Sequence, residues 1–141
     1  MSTTPAFAST VHNTSTALSL TAETNQGTPA HATLCYTPGA SGSKIEEIVV
    51  TAITPSASLI STTTAGLVYI YLYNTSTSAY FYFDSVTVSA VTSSTTVAPY
   101  RSAPSRYPNL IINTGFALYA SVTVEPSNNG QLVLHCFGGD Y

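Results

Sequence analysis

The chain has 141 residues, enough for a single domain with one core, yet only 6% of them are charged and the net charge is −3. With Lys44, Arg101 and Arg106 as its cations, it lacks the several basic contacts that track phosphates, so no nucleic acid is expected as a partner. The start MSTTPAFASTVHN has neither a basic nor an apolar signal region, and the apolar run from Ala65 to Tyr73 is too short to span a bilayer as a helix, so no membrane is expected and the chain reads as made in the cytoplasm.

Residues 1–13 are polar, with Pro5, and read as an extended N-terminal arm that becomes ordered on assembly. The rest, 14–141, reads as one β domain. Thr14–Thr21 alternates weakly and is a candidate strand, and Ala22–Pro29 is a turn. Ala30–Tyr36 puts His31, Thr33 and Cys35 on one face of a strand, which ends at Thr37-Pro38-Gly39. Ser43–Thr54 opens like a capped helix, with Ser43 and Glu46 in capping-box spacing. The β-branched run through Ile48, Val49, Val50, Thr51 and Ile53 decides for a strand. An edge strand is expected around Ser58–Ser61. Gly66–Tyr73 alternates Val68, Ile70 and Leu72 inward against Leu67, Tyr69, Tyr71 and Tyr73, and an Asn74–Ser78 turn returns the chain along Ala79–Asp84.

Ser85–Val91 is a further strand, with Asp84 and Ser85 read as a corner between sheets. Thr92–Pro108 holds three prolines and reads as a loop, and Leu110–Ile112 as a short strand. Two alternating runs, Phe116–Val124 and Leu132–Phe137, read as a closing hairpin turned at Pro126–Gly130. The sum is an all-β, single-domain antiparallel β-sandwich or jelly roll of about eight strands.

Catalytic groupings fail on spacing. Gly39-Ala40-Ser41-Gly42 lacks the strand-to-helix elbow of a hydrolase nucleophile. Glu46 and Glu47 are adjacent on a strand, so alternation sends them to opposite faces, where they cannot flank one bond. His31 with Cys35, and His135 with Cys136, lack zinc-type spacing, His12 reads as a rim or core residue, and Asp140 alone is too few oxygens for calcium. No metal, cofactor or enzymatic activity is expected. The Asn13 and Asn74 sequons carry no weight without secretion. Cys35 and Cys136 read as buried thiols, with a disulfide left open.

Contact chemistry is better represented. Ser and Thr supply roughly three residues in ten, so hydroxyls and backbone must solvate the surface, and hydroxyl- and Tyr-rich faces desolvate cheaply against other protein. Tyr69 and Tyr71 lie on an aromatic strand face that is either the inner face of a sheet packed on both sides or a contact surface for another subunit, and Tyr100, Arg101, Arg106 and Tyr107 cluster in the Pro-broken loop, either a solvated connection between sheets or a contact site; Tyr and Arg are the residue types that anchor interfaces.

Two stretches, TPAHATLCYTPGASGSKIEEIVVTAI from Thr28 and TAGLVYIYLY from Thr64, resemble small virion proteins of tailed bacteriophages, as do TGFALYAS from Thr114 and the final GGDY. The likeness covers most of the chain after Thr28, in order, and departs at Phe116 and Tyr119, where Trp and Arg are usual. It implies a β-sandwich capsid decoration or cement protein, with head-fibre or tail roles as the alternative. The implied partner is the major capsid protein, and the implied location is the capsid surface of the virion. Lattice three-folds make a homo-trimer the expected state. The rival class is a jelly-roll adhesion or carbohydrate-binding module whose tyrosines stack on sugars.

Overall fold

The computed structural model describes residues 8–54, 60–126 and 130–141. Among them no helix occurs, and ten strands do: β1 (Thr10–Ala17), β2 (Thr33–Tyr36), β3 (Ser43–Ile53), β4 (Thr62–Thr63), β5 (Gly66–Asn74), β6 (Ala79–Val88), β7 (Val91–Thr92), β8 (Ser105–Ile112), β9 (Phe116–Val122) and β10 (Gln131–Asp140). They form one four-stranded sheet in the order β1-β10-β3-β8, a second in the order β2-β9-β5-β6, and a small β4-β7 ribbon. Every pairing is antiparallel. The two large sheets share one core in a β-sandwich-like arrangement. Ile45, Ile48, Val50 and Leu134 enter it from the first sheet, and Val68, Ile70, Leu118 and Val122 from the second. Buried β-branched side chains pack well on a pleated surface, which is why the Ser43 segment is a strand in spite of its helix-like opening.

Four readings of the sequence are corrected. Residues 10–13 are not arm: β1 begins at Thr10 and pairs with β10 along its whole length. Phe116–Val122 and Gln131–Asp140 do not form a hairpin, because β9 lies in the second sheet and β10 in the first. Each run has an apolar inner face, and each finds an earlier strand to pair with, β5 for β9 and β3 for β10. β9 and β10 therefore belong to facing sheets, which stack about 10 Å apart. Asp84 and Ser85 are not a corner either, since β6 runs straight through them. The register there shows a bulge, with Phe83 the extra residue between Asp84, opposite Ile70, and Tyr82, opposite Tyr71. Lastly, Arg106 and Tyr107 are not in a loop, because β8 starts at Ser105 in spite of Pro108. A sheet edge tolerates the missing donor. The edge strand expected at Ser58–Ser61 and the turn at Pro126–Gly130 fall partly outside the described residues.

A bulge also revises Glu46 and Glu47. The β3 register slips between Ile45 and Glu47, and Ile45 and Ile48 are both buried, so the two carboxylates lie together on the solvent side instead of on opposite faces. They pair separately, Glu46 with Lys44 at 2.6 Å and Glu47 with Arg106 at 3.4 Å. Opposite the bulge, a Cβ on Gly138 would overlap the Lys44 carbonyl, so this close approach needs glycine.

Candidate functional site: a tyrosine face

The outer face of the second sheet follows from alternation along three adjacent strands. On β5, Val68 and Ile70 point into the core, leaving Tyr69, Tyr71 and Tyr73 outside. The register then brings Tyr119 of β9 and Tyr82 of β6 opposite Tyr71, and Tyr80 opposite Tyr73. These six rings form a continuous contact network. Tyr69–Tyr82 and Tyr80–Tyr119 meet edge-on at 5.5 and 5.4 Å, while Tyr73 lies 4.6 Å from Tyr80 and 5.0 Å from Tyr119. Tyr71 touches Tyr69 and Tyr80 at 6.3 and 5.9 Å. Such pairs contribute roughly 0.5–1.5 kcal/mol each beyond the area they bury, so the face is held rigid before anything docks on it.

Within this face the roles divide by exposure. Tyr71 is 0% exposed, and its hydroxyl lies 3.1 Å from the buried Ser121 Oγ. Tyr82 is 46% exposed. Burial pushes the Tyr71 and Tyr80 phenols above their ordinary range, so both remain neutral donors at any physiological pH. The loop before β2 borders the face. Its Glu23 backbone N–H bonds to the Val122 carbonyl, and its buried carboxylate accepts from the N–H groups of His31, Thr24 and Asn25 at 2.8, 3.1 and 3.2 Å. Burial alone would raise the Glu23 carboxyl, but these bonds bring it below its usual value. Between this loop and the β5–β6 turn, Gly27, Thr28, Pro29 and Tyr80 line a groove of about 340 Å³.

The other anchors expected from sequence are dispersed. Tyr100 is buried, and its hydroxyl donates to the Thr87 carbonyl at 2.6 Å. Tyr107 donates to Asp84 at 2.6 Å and packs on Phe83, so it ties β8 of the first sheet to β6 of the second. These two act as braces, as does Tyr71. Arg101 is exposed beside Thr51, and Arg106 lies exposed over Glu47. Of the six candidates, Tyr71 and Tyr100 are buried, Tyr69 and Tyr107 are half-buried, and Arg101 and Arg106 are exposed. Tyr73, Tyr80, Tyr82 and Tyr119 extend the face beyond the six candidates, and the Tyr80/Tyr82 alternation on a return strand is the sequence signal for it.

A second cluster looks catalytic by composition and is structural by geometry. Asp140 accepts from Ser43 Oγ at 2.5 Å and bonds His12 Nδ1 at 2.9 Å, with the Tyr36 hydroxyl at 3.4 Å. A nucleophile needs its histidine as base, but here Ser43 spends its proton on the carboxylate and is wholly buried. The Ser43 bond, then His12, holds the Asp140 carboxyl below its usual range. His135 and Cys136 point to opposite faces of β10: the imidazole bonds Ser15 and Thr51 hydroxyls at 2.8 Å each, and the thiol is in the core. Cys35 and Cys136 are both free and buried, and burial pushes the Cys136 thiol up to about 12. Among the described residues no group of three or more His, Cys, Asp or Glu is placed to hold a metal, and no helix is long and apolar enough to cross a membrane.

No protein family, curated protein or solved structure matches the chain. What fold and site define is a class: an antiparallel, sandwich-like all-β domain with a pre-packed aromatic outer face.

Proposed function

We propose that this protein is a structural virion component, a decoration or cement protein that stabilises a phage head by packing on the lattice of the major capsid protein. The observation that carries the reading is the tyrosine face: six mutually braced rings on one sheet, without a charged side chain among them. Such a face loses little hydration on docking and pays little entropy, because its rings are already ordered. Weak contacts of this kind suffice when many copies bind one shell. The resemblance of the Thr28, Thr64 and Thr114 segments to tailed-phage virion proteins supports the same reading, as does the strand order. Counting only strands of four residues or more, the sheets run first-eighth-third-sixth and second-seventh-fourth-fifth, the interleaving expected of a jelly roll built from two Greek keys. The reading assigns no reaction, no cofactor, a homo-oligomeric state, and a place on the capsid surface.

The test is sedimentation of purified protein with undecorated heads. Saturable co-sedimentation that Tyr82→Ala weakens is expected, and failure to bind heads at micromolar concentration contradicts the proposal. The groove of about 340 Å³ beside Tyr80 favours a second reading, a head-fibre or tail carbohydrate-binding module, with Tyr80 stacking on a sugar ring. Saturable binding to glycans without binding to heads would select it.

A further inference from the structure

A sandwich of two open sheets has four edge strands, and each unpaired edge is a template for another strand unless something blocks it. Three of the four are blocked. On β8, Pro108 removes a donor in mid-strand and Arg106 projects a charge. β2 has only four residues and a register slip, and β6 carries the Phe83 bulge and Asp84. β1 has none of these devices. Its eight residues, TVHNTSTA, pair with β10 without a register shift and contain no proline, and their one ionisable side chain, His12, is turned to Asp140.

The geometry of the free edge follows from the paired one. The Leu18 N–H bonds to the Leu132 carbonyl, so alternation turns the backbone groups of Val11, Asn13, Ser15 and Ala17 away from β10. Among the described residues no strand lies on that side. Val11 is 79% exposed there, and beside the edge an open groove of about 510 Å³ runs between β1 and β2, lined by His12, Thr14, Thr16, Leu34 and Tyr36.

We propose that β1 is a self-association edge, at which β1 of a second copy adds antiparallel about a two-fold axis at Thr14. In this register Val11 faces Ala17 of the second copy and Asn13 faces Ser15, giving about eight backbone hydrogen bonds. The inner threonines of the incoming strand cover the open groove. A strand that is uncharged and free of proline is complementary to its own antiparallel image, and a chain with three blocked edges has one strand to offer its twin. The result is an eight-stranded sheet across two copies, with the tyrosine face of each left free. This does not rest on the virion reading and is tested without heads.

The experiment is light scattering on the purified full chain at tens of micromolar, with Ala17→Pro and Val11→Lys as edge variants. Ala17→Pro removes an N–H that makes no bond within the copy. The expected result is twice the 14.7 kDa chain mass, unchanged between low and high salt, falling to the single-chain mass in either variant with the melting midpoint held. In oxidising buffer, mixing Asn13→Cys with Ser15→Cys protein is expected to give a cross-linked pair, since facing Cα atoms at about 5.5 Å fall within disulfide reach. A single-chain mass for the unaltered protein, or a dimer that both folded edge variants retain, overturns the proposal. So does failure of the mixed cysteine proteins to cross-link.

Discussion

Truncating Tyr71 and truncating Tyr82 separate a brace from a contact on the same face. Tyr71→Ala removes a ring with no exposed surface, two aromatic contacts, and the hydroxyl partner of buried Ser121. Deleting a buried aromatic costs about 3–5 kcal/mol, so a domain of ordinary stability loses a large fraction of its margin. Tyr71→Phe keeps the packing and strands the Ser121 hydroxyl, at about 1–2 kcal/mol. Tyr82→Ala deletes a half-exposed ring that meets one other ring, Tyr69, and should cost under about 1 kcal/mol in the free protein. If the face is a docking surface, that same change removes an anchor worth about 2 kcal/mol, roughly 30-fold in affinity for heads. Urea titration followed by tyrosine fluorescence reads the first quantity, and head co-sedimentation reads the second. The reasoning is refuted if Tyr82→Ala unfolds the protein as readily as Tyr71→Ala, or if it leaves head affinity unchanged while folded.

Asp140→Ala leaves the buried Ser43 hydroxyl without its acceptor and is expected to destabilise by about 1–3 kcal/mol in chemical denaturation. In the unaltered protein, the depressed Asp140 and Glu23 carboxyls stabilise the fold fully above the ordinary carboxylate range. That stability is lost as pH falls through their folded values, so thermal midpoints should drop below about pH 4. The His135 imidazole is depressed by burial and then by Arg101, so the unfolded chain takes up its proton first. Stability should therefore fall as pH drops below about 6.5, and His135→Gln should flatten that part of the profile. Native protein at pH 8 should resist iodoacetamide at Cys35 and Cys136, and both should be alkylated in urea, as mass spectrometry would record.

Local chemistry made much of this fold legible. The β-branched run in β3, the period-two alternation of β5 and the Asn74–Ser78 turn are set by neighbours in sequence, and each is where the residues put it. The partnering of β9 and β10 was not legible, because two apolar-alternating runs joined by turn residues fit a hairpin as well as they fit strands in opposite sheets. Only the three-dimensional competition with β3 and β5 decides between them. Bulges were hidden for the same reason, since nothing local marks Glu46 or Phe83 as the extra residue. The site was half legible. Alternation exposed the tyrosine stripe on β5, but whether Tyr71 faces a partner or lies beneath its neighbours depends on Tyr80, Tyr82 and Tyr119 arriving from two other strands. The Tyr100–Tyr107 cluster divides because residues 100–102 and β8 both line β3, where alternation turns the two tyrosines inward as braces and the two arginines outward.

The account turns on whether the tyrosine-bearing sheet is a surface meant to be covered. Electron cryo-microscopy of the assembled particle addresses that directly. The account predicts density for this chain on the shell, with Tyr69, Tyr80 and Tyr82 pressed against the major capsid protein. A particle without the chain, or one that carries it with those rings turned to solvent, would contradict it.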